Sequence, residues 1–554
     1  MLLTNQVLPK RIPLQMRSTF AGLMLAVLSG VLLGLAFPPL DFSWLIWMAL
    51  VPLLWATMHA PGARVAFAYG LTTAVIFYLI TTYPLTSAHS WSGWQSVASE
   101  TEQTALITQQ KRKLFTLWIL WPFWAGLFWG ISTALLQKLH KTGHWRIAVF
   151  APPIFIFLTE WLRSKTSYNH HWSFLGNAAI DMPGVIQLSA LGGVWLISWL
   201  VILVNIALLA LIPSASRKDW KLAGFIASLF LAVILLGSWQ ARQIEQVPAG
   251  ADQLRVAAIQ HHHDAYTPED YSAIGIEIDF LDLMLQVSSG AIGHIDILVL
   301  PESIAFAALS IDGTYVEGLP REIQQPLSDW TDSITWIISQ GQADLVIALG
   351  AETVEGGELY NSMTFWTMEG LEHVYHKREL VPLAEYQPEM LKFFAFSGDV
   401  HFSAGKQSTA ANIRGQRLGT FICQEVLTPA VIHDSVRNGA EILISGGNDG
   451  VFANPAIAEV HAKLARIRAV ESGRYIVRAM KTGISAIISP SGRELSRSPS
   501  SDAYVVVAQI RRMEHLTFYM RTGNWPIGLA LLLVLIGIAE ITRLRKSQPG
   551  KSPG

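Results

Sequence analysis

Cysteine is almost absent from this sequence, which has a single one, Cys423, in 554 residues. A lone cysteine excludes an internal disulfide and is usually a small buried core residue, so a chemical role for Cys423 needs support from its surroundings. Charged residues are also scarce, at 15% of the chain, and the formal net charge is -1. Because no run of Lys and Arg is interleaved with aromatic residues, the sequence gives no indication of nucleic-acid binding.

Apolar residues, by contrast, are abundant. They make up 51% of the chain, which has 20 Trp and a mean hydropathy of +0.36, and such a composition is typical of a membrane protein. Long apolar runs predict eight transmembrane segments, at about 18–38, 43–58, 65–82, 114–137, 147–162, 185–212, 222–240 and 524–541. The second and the fifth run are short, and either can instead be a buried or tilted segment.

The distribution of basic residues predicts the orientation of these segments. With the N-terminus inside, fourteen Lys and Arg residues flank the segments on the cytoplasmic side and five lie in outside loops, as the positive-inside rule favours. An even number of segments then places residues 241–523 outside the cytoplasm. No cleavable signal peptide is predicted, because the first apolar run is full length and further segments follow it directly.

Residues 241–523 have a different pattern, in which short β-branched runs alternate with amphipathic stretches. The predicted strands lie at 254–260, 296–303, 344–352, 361–367, 417–425, 441–449, 474–480, 485–490 and 503–510, and helical spacing is found at 271–287 and 457–472. This pattern predicts an α/β domain. We therefore expect a membrane domain with about seven transmembrane helices at 1–240, an extracytoplasmic domain at 241–523, and a C-terminal helix with a basic cytoplasmic tail at 524–554.

Three candidate catalytic residues are expected just past strand ends of this domain, where α/β proteins usually place their chemistry. Glu302 follows "ILVLP", Lys377 lies in "VYHKREL", and Cys423 follows "LGTFI". A thiol is mostly protonated at neutral pH, so a nucleophilic Cys423 needs a base, for which Glu302 is suited. Lys377 and the backbone N–H of Gln424 can stabilise the oxyanion of a tetrahedral intermediate. The set predicts acyl transfer through a thioester.

The order of Glu, Lys and Cys within "LPES", "YHKRELVPLAEYQP" and "FICQE" resembles the nitrilase superfamily, and the predicted membrane segments around this domain resemble its membrane branch, the apolipoprotein N-acyltransferases. Further similar stretches are "LAFPPLDFSWLIWMALVPLL", "VIQLSALGGVWLISWLVILVNIALLA" and "ARIRAVESGRYIVRAMKTGISAIISPSGR". The resemblance implies an αββα sandwich without a metal or cofactor. It makes Cys423 the nucleophile, Glu302 the general base, Lys377 the oxyanion stabiliser and Glu385 a further glutamate of the site.

The same resemblance implies the substrates. A phospholipid would donate the acyl chain, and the α-amine of a diacylglyceryl-cysteine at the N-terminus of an apolipoprotein would accept it, at the periplasmic side of a bacterial inner membrane. Several residues depart from the family pattern around the expected pocket, namely Glu379, Leu383, Ala384, Gln424, Gly450, Val451 and Lys481. Two alternatives stay open: a membrane-anchored amidase that uses the same triad on water, and a non-catalytic relative in a secretion or conjugation assembly.

Two further groups of polar residues stand out in the sequence. His261 to His263 are adjacent on a segment after the first strand, which lacks the i, i+4 spacing of helical metal ligands, so a polar rim or a plain loop is favoured over a metal site. Glu160 and Arg163 are three residues apart at the end of the fifth apolar run, which favours a structural ion pair near the membrane interface.

Overall fold

A computed structural model of the chain describes residues 19–87, 100–140, 145–166, 172–212, 217–246, 252–261, 278–304, 307–317, 319, 321–382, 385–386, 401–407, 410–450, 452, 454–500 and 502–546. The chain forms two compact units. The first comprises Met1–Tyr83, Thr116–Ala241 and Thr522–Gly554, and the second comprises Pro84–Phe115 and Arg242–Arg521.

Helices dominate the chain before the first strand and after the last one. They are α1 (Thr19–Leu35), α2 (Val51–His59), α3 (Ala63–Thr82), α4 (Glu100–His140), α5 (Trp145–Phe155), α6 (Arg163–Thr166), α7 (Pro183–Ile186), α8 (Ser189–Ala210) and α9 (Arg217–Glu245), with α14 (Phe518–Thr522) and α15 (Trp525–Lys546) near the C-terminus. Between α5 and α6 the chain forms a π-helix, Ile156–Leu162.

Among the described residues, five helical segments are long and apolar enough to cross a membrane: Ala63–Ser87, Lys111–His140, Ser189–Ala210, Trp220–Glu245 and Trp525–Arg543. They coincide with five of the eight predicted segments. The first two predicted segments contain shorter apolar helices, Thr19–Leu35 and Ser43–His59, and the fifth contains the π-helix. Membrane crossing by these three stays a prediction, while the membrane character of the protein follows from the other five.

Asn205 of α8 explains why the second predicted segment is not one helix. The segment consists of a 3₁₀-helix, Ser43–Trp47, and α2, with a break between them. Asn205 Nδ2 donates to Ile46 O at 2.9 Å, and Asn205 Oδ1 accepts from Leu50 N–H at 2.8 Å. One buried amide thus satisfies backbone groups that a helix break leaves without intrahelical partners, which is necessary where water is excluded.

The second unit contains two β-sheets. Its strands are β1 (Leu254–Gln260), β2 (Ile297–Val299), β3 (Ala308–Ser310), β4 (Gln324–Pro326), β5 (Val346–Glu355), β6 (Glu358–Thr367), β7 (Gly370–His376), β8 (Ala411–Ile413), β9 (Gln416–Ile422), β10 (Ile442–Gly447), β11 (Tyr475–Met480), β12 (Ala486–Ile488), β13 (Glu494–Arg497) and β14 (Tyr504–Ile510). One sheet has the order β14-β1-β2-β5-β3-β4, with β6 on β5 and β7 on β6, and the other has the order β13-β12-β11-β10-β9-β8.

Helices cover the outer faces of the two sheets, which pack on each other through β2, β5, β10 and β11. The helices are α10 (Ile278–Ser288) and α11 (Leu327–Ser339) on the first sheet, and α12 (Pro429–Arg437) and α13 (Ala456–Ser472) on the second. In α11, Trp330, Ile334 and Ile338 recur at helical spacing and are fully buried against Leu298 and Ile347 of the sheet. The predicted αββα sandwich is therefore confirmed.

All nine predicted strands are present, and α13 coincides with the predicted helix at 457–472. Of the helix predicted at 271–287, the described part begins at Ile278, because residues 271–277 lie outside the described residues. Strands β1, β2 and β5 are mutually parallel, as are β9, β10 and β11. Parallel strands bring their carboxyl ends to one edge of a sheet, and the candidate residues lie at these edges.

Candidate active site

The three candidate residues are each placed by the end of a strand. Glu302 lies three residues after β2, Lys377 directly follows β7, and Cys423 directly follows β9 and begins a 3₁₀-helix, Cys423–Leu427. The backbone of Lys377 is fixed to β6, the strand that pairs with β7, because Lys377 N–H donates to Asn361 O at 2.8 Å. Glu302 thus comes from the first sheet and Cys423 from the second.

Two residues at these strand ends have a left-handed backbone. Cys423 has a φ of 51°, and Ser303, next to Glu302, has a φ of 47°. A side chain in this region costs roughly 1–2 kcal/mol, and the conformation persists only where the surroundings enforce it. For Cys423, this backbone conformation marks the sharp change of direction from the end of β9 into the 3₁₀-helix.

Glycines allow other strands to pass close to the Glu302 turn. A Cβ atom on Gly350 of β5 would lie 2.1 Å from Pro301 O and 2.7 Å from Glu302 Cα. On Gly446 of β10 it would lie 2.6 Å from Met363 Cε and 3.1 Å from Glu302 N. Side chains at these positions would push the turn away, so the close packing of the two sheets at the site depends on these glycines.

A buried charge cluster forms around Lys377. Its ammonium donates to Glu385 Oε1 at 2.8 Å and to Glu302 Oε1 at 3.3 Å. The side-chain amide of Asn361 joins the same two carboxylates, donating to Glu302 Oε1 at 2.6 Å and to Glu385 Oε1 at 2.8 Å. All four residues are buried. The structure therefore brings together the two candidate residues Glu302 and Lys377 with Glu385, which the family resemblance implied, and it adds Asn361.

The two oxygens of Glu302 differ in their surroundings. Oε1 accepts from Lys377 and Asn361, whereas Oε2 is buried and has no hydrogen-bond partner within the described part of the chain. Burial alone would lower the pKa of Lys377, but the charges of Glu302 and Glu385 outweigh it and hold that pKa well above its ordinary value. Lys377 is therefore a permanent cation, and Glu302 Oε2 is the oxygen available to take a proton.

The Cys423 thiol is kept neutral by its surroundings. Burial raises its pKa, and the negative charge of Glu302 raises it further. The positive charge of Lys377 and the N–H of Asn448, which donates to the sulfur, act in the opposite direction without reversing the shift. A stable thiolate is consequently disfavoured, so this site fits proton removal during nucleophilic attack better than a preformed thiolate.

Glu425 connects the loop of Lys377 to the loop of Cys423. Its carboxylate accepts from Ile422 N–H and Arg378 N–H, each at 2.7 Å, and from Tyr375 Oη at 2.9 Å. Glu425 is fully buried, and burial raises its pKa to about 7 even though these N–H donors favour the ionised form. No role for Glu425 follows from the sequence pattern alone, although a charged residue two positions after the sole cysteine was a usable signal.

A second buried ionic group lies beside Cys423. Asp449 Oδ1 is 2.7 Å from His461 Nδ1, and Asp449 Oδ2 is 3.5 Å from Arg478 Nη2. Asp449 directly follows Asn448, whose N–H reaches the Cys423 sulfur, and its own N–H donates to Thr482 O at 2.8 Å. The group therefore fixes the loop after β10. No local sequence pattern reveals it, because its members lie in three separate elements, the loop after β10, α13 and β11, and meet only in the folded domain.

Several other predicted features are located by the structure. Gln424 Nε2 donates to Glu379 O at 3.5 Å, so two of the departures from the family pattern touch each other. Gly450 and Lys481 lie at the same end of the second sheet, whereas Leu383, Ala384 and Val451 lie outside the described residues. His261 is buried, and His262 and His263 are likewise outside the described residues. No group of three His, Cys, Asp or Glu in the described ranges is arranged to hold a metal ion.

Glu160 and Arg163, predicted as an ion pair, are both buried in the π-helix and the start of α6. Glu160 Oε1 accepts from Leu175 N–H at 2.8 Å and from Ser198 Oγ at 2.9 Å. Arg163 donates to Thr159 O at 2.7 Å and to Trp172 O at 3.0 Å. The two charged side chains therefore fix the surrounding backbone, which agrees with a structural role.

Sequence comparison relates both parts of the chain to known proteins. Residues 29–207 match the apolipoprotein N-acyltransferase N-terminal domain, and residues 255–515 match the carbon-nitrogen hydrolase family. The apolipoprotein N-acyltransferase of Gloeobacter violaceus is 28% identical over 95% of this chain and 95% of its own length. That of Azotobacter vinelandii is 26% identical over 96% of this chain and 98% of its own length.

Among solved structures, an amidase from Nesterenkonia sp. AN1 is 17% identical, with a TM-score of 0.37, and covers 52% of this chain and 99% of its own. The sequence relationships extend along nearly the whole chain, across the membrane part and the αββα part in the same order. Both parts of the chain, in this order and along nearly its whole length, are therefore similar to the apolipoprotein N-acyltransferases, the second part through a carbon-nitrogen hydrolase domain.

Proposed function

We propose that the protein takes a fatty acyl chain from a phospholipid onto Cys423 and passes it to the α-amine of the diacylglyceryl-cysteine of an apolipoprotein. The observation that carries this proposal is a buried site shared by three groups: the neutral thiol of Cys423, the ammonium of Lys377, and the carboxylate of Glu302. Oε2 of that carboxylate has no hydrogen-bond partner among the described residues. The five long apolar helices support it, because both proposed substrates are held in a membrane by their acyl chains.

In the first half-reaction, the sulfur of Cys423 attacks the ester carbonyl of the phospholipid while Glu302 Oε2 takes the thiol proton. The carbonyl oxygen becomes an oxyanion, which the ammonium of Lys377 and the backbone N–H of Gln424 stabilise. The C–O bond of the ester then breaks, and the proton held by Glu302 goes to the departing alkoxide. A lysophospholipid leaves, and the acyl chain stays on Cys423 as a thioester.

In the second half-reaction, the neutral α-amine of the acceptor attacks the thioester carbonyl and gives a proton to Glu302. The same donors stabilise the second oxyanion. The C–S bond breaks, the sulfur recovers its proton from Glu302, and the amide product leaves. Glu302 therefore serves as base and then as acid in each half, whereas Glu385 and Asn361 hold Lys377 and Glu302 in place.

For the arrangement in the cell, we propose the orientation that the basic residues favour. Residues 1–240 and 524–554 would form the membrane part of a multi-pass protein of the bacterial inner membrane, and residues 241–523 the catalytic domain on its periplasmic side. This places the thioester in the compartment where acceptor lipoproteins are exposed, and it needs no cofactor.

A membrane-anchored amidase would use the same triad, so the acceptor distinguishes the two functions. The purified full-length protein in detergent is incubated with a phospholipid that has a labelled acyl chain, without any acceptor. We expect an acyl adduct on Cys423 that hydroxylamine removes and that persists until a diacylglyceryl-cysteine peptide is added. Rapid release of free fatty acid before the peptide is added would favour the hydrolase instead.

The cellular counterpart is mass analysis of lipoprotein N-termini in cells with and without this protein. We expect the N-acyl group to be lost when the protein is removed, and to return with the wild-type chain but not with Cys423→Ala. Unchanged N-acylation in its absence, together with no adduct in vitro, would favour a non-catalytic role in an assembly.

A further inference from the structure

Lys481 occupies a position between the two sheets at the edge that holds the site. It directly follows β11, and its backbone N–H donates to Gly447 O at 2.8 Å, so its backbone is fixed at the end of β10. Its side chain extends to the other sheet, where Nζ donates to Ser303 O at 3.2 Å. One residue thus connects the end of β10 in the second sheet to the turn after β2 in the first.

The turn that Lys481 contacts is the one that carries Glu302. Ser303 has a left-handed backbone with a φ of 47°, a conformation that the surrounding structure must maintain. The turn is also held by Ile304 N–H, which donates to Gly350 O at 3.3 Å. The ammonium of Lys481 contributes a charge-assisted hydrogen bond on the other side of the same turn, and such bonds are stronger than neutral ones.

We propose that Lys481 is a positioning residue for Glu302, which holds the turn so that the open oxygen of Glu302 faces the Cys423 thiol. This inference rests on the proposed function in so far as Glu302 is the base. It differs from the role of Lys377, which contacts the Glu302 carboxylate itself. Lys481 acts through the backbone of Ser303, on the side of the turn away from the first sheet.

A displaced base lowers the rate of the chemical step more than the binding of the substrate. A misplacement of about 1 Å can cost on the order of 100-fold in rate. We therefore expect Lys481→Met, which retains most of the apolar side chain but has no donor, to slow acyl-enzyme formation by about 10- to 100-fold. The phospholipid concentration for half-maximal rate should change less than about 3-fold, because the contact is made with the protein and not with the lipid.

The experiment compares Lys481→Met, Lys481→Arg and Lys406→Met in the full-length protein in detergent. Lys481→Arg keeps a charged donor and should restore at least half of the lost rate. The side chain of Lys406 is exposed, so Lys406→Met should remove the same charge without loss of rate. An equal effect of Lys406→Met, or no loss in Lys481→Met, would overturn the proposal.

A second measurement is independent of phospholipid turnover. The charge of Glu302 raises the pKa of the Cys423 thiol, so a displaced Glu302 should shift the pH dependence of maleimide labelling toward lower pH. We expect this shift in Lys481→Met and its reversal in Lys481→Arg. If wild-type protein forms no acyl adduct, the proposed function fails while this shift still supports the positioning role. A labelling profile that superimposes on that of the wild type would refute the positioning role alone.

Discussion

Lys377 Nζ lies 2.8 Å from Glu385 Oε1, closer than it lies to the Glu302 carboxylate at 3.3 Å. Glu385 also accepts from Val381 N–H at 2.6 Å through its other oxygen, so both of its oxygens are occupied. Among the residues that the structure describes, none donates to the second oxygen of Glu302, Oε2. The lysine is thus oriented mainly by one carboxylate, and the other carboxylate is left to accept a proton.

Replacement of Glu302 by Gln should separate the reactivity of the thiol from its catalytic use. Because the charge of Glu302 raises the pKa of Cys423, we expect Glu302→Gln to be labelled faster than the wild type by a lipid-soluble maleimide at pH 7. Acyl-enzyme formation from phospholipid should fall at least about 100-fold, since the base is lost. Lys377→Met is the informative control, because Lys377 lowers the pKa of Cys423; it should slow both reactions. Slower labelling of Glu302→Gln would contradict this assignment of charges.

Glu302 and Lys377 should act on one transition state. Each single variant, Glu302→Gln or Lys377→Met, is expected to slow acyl-enzyme formation by about 100- to 1000-fold. The double variant should lose far less than the product of these factors, because groups that act as a unit are not additive. Single-turnover kinetics with labelled phospholipid measures all three. Fully multiplicative losses would show that the two residues serve separate steps.

The sequence allowed much of the second unit to be predicted, because its central strands are continuous β-branched runs such as "ILVL" and "ILISGG" that stand out from the flanking segments. The five missed strands lack that signal. β3, β4 and β8 have three residues each, and β7, "GLEHVYH", is too polar for a buried strand. No strand was therefore predicted directly before Lys377, although Lys377 follows β7.

Within the site, residues next to a motif could be predicted, whereas residues that act through tertiary contacts could not. Glu302, Lys377, Glu385 and Cys423 lie in short recognisable stretches. Asn361 reaches Glu302 from a strand 59 residues further along the chain, and no local pattern distinguishes it from the other polar residues of β6. The transmembrane segments show the same limit, because the break before α2 depends on Asn205 of α8.

The buried ionic group of Asp449, His461 and Arg478, here called the Asp449 group, should be important for stability. Asp449→Asn removes the carboxylate that accompanies Arg478 and His461, all of them buried. A buried charge without its partner typically costs about 3–5 kcal/mol, and we expect that loss in the free energy of unfolding, measured by urea titration in detergent. Glu459→Gln is a matched control on α13, because Glu459 pairs with Arg497 at a partly exposed site and should change the free energy by less than about 1 kcal/mol. Similar losses in both variants would count against a special role for the Asp449 group.

Glu425 should set the acid side of the pH profile of acyl-enzyme formation. Its folded-state pKa is about 7, above the ordinary value of 4.5. As the pH falls through about 7, the Glu425 carboxylate takes up a proton, and the protonated oxygen becomes a donor. The N–H groups of Ile422 and Arg378 then compete for the acceptor capacity that the carboxyl group retains. The two loops that hold Cys423 and Lys377 then lose their connection. We expect the single-turnover rate of the wild type to fall below pH 7, and Glu425→Gln, which cannot titrate, to be slower at pH 8 but without this acid limb.

The same shift predicts an opposite trend for stability. Because the folded-state pKa of Glu425 is raised, its contribution to the free energy of unfolding is fully present below about pH 4.5 and is lost as the pH rises through about 7. A shift of this size corresponds to roughly 3 kcal/mol. The stability of the wild type relative to Glu425→Gln should therefore decrease between pH 5 and pH 8, while its acylation rate increases.

Urea titrations at both pH values test the trend in stability. A difference between the variants that stays constant or grows with pH would show that Glu425 is not a buried carboxyl group with a raised pKa. If both trends are found, the carboxylate that joins the two catalytic loops is maintained in its ionised form at a cost in stability, which is the pattern expected of a group selected for activity.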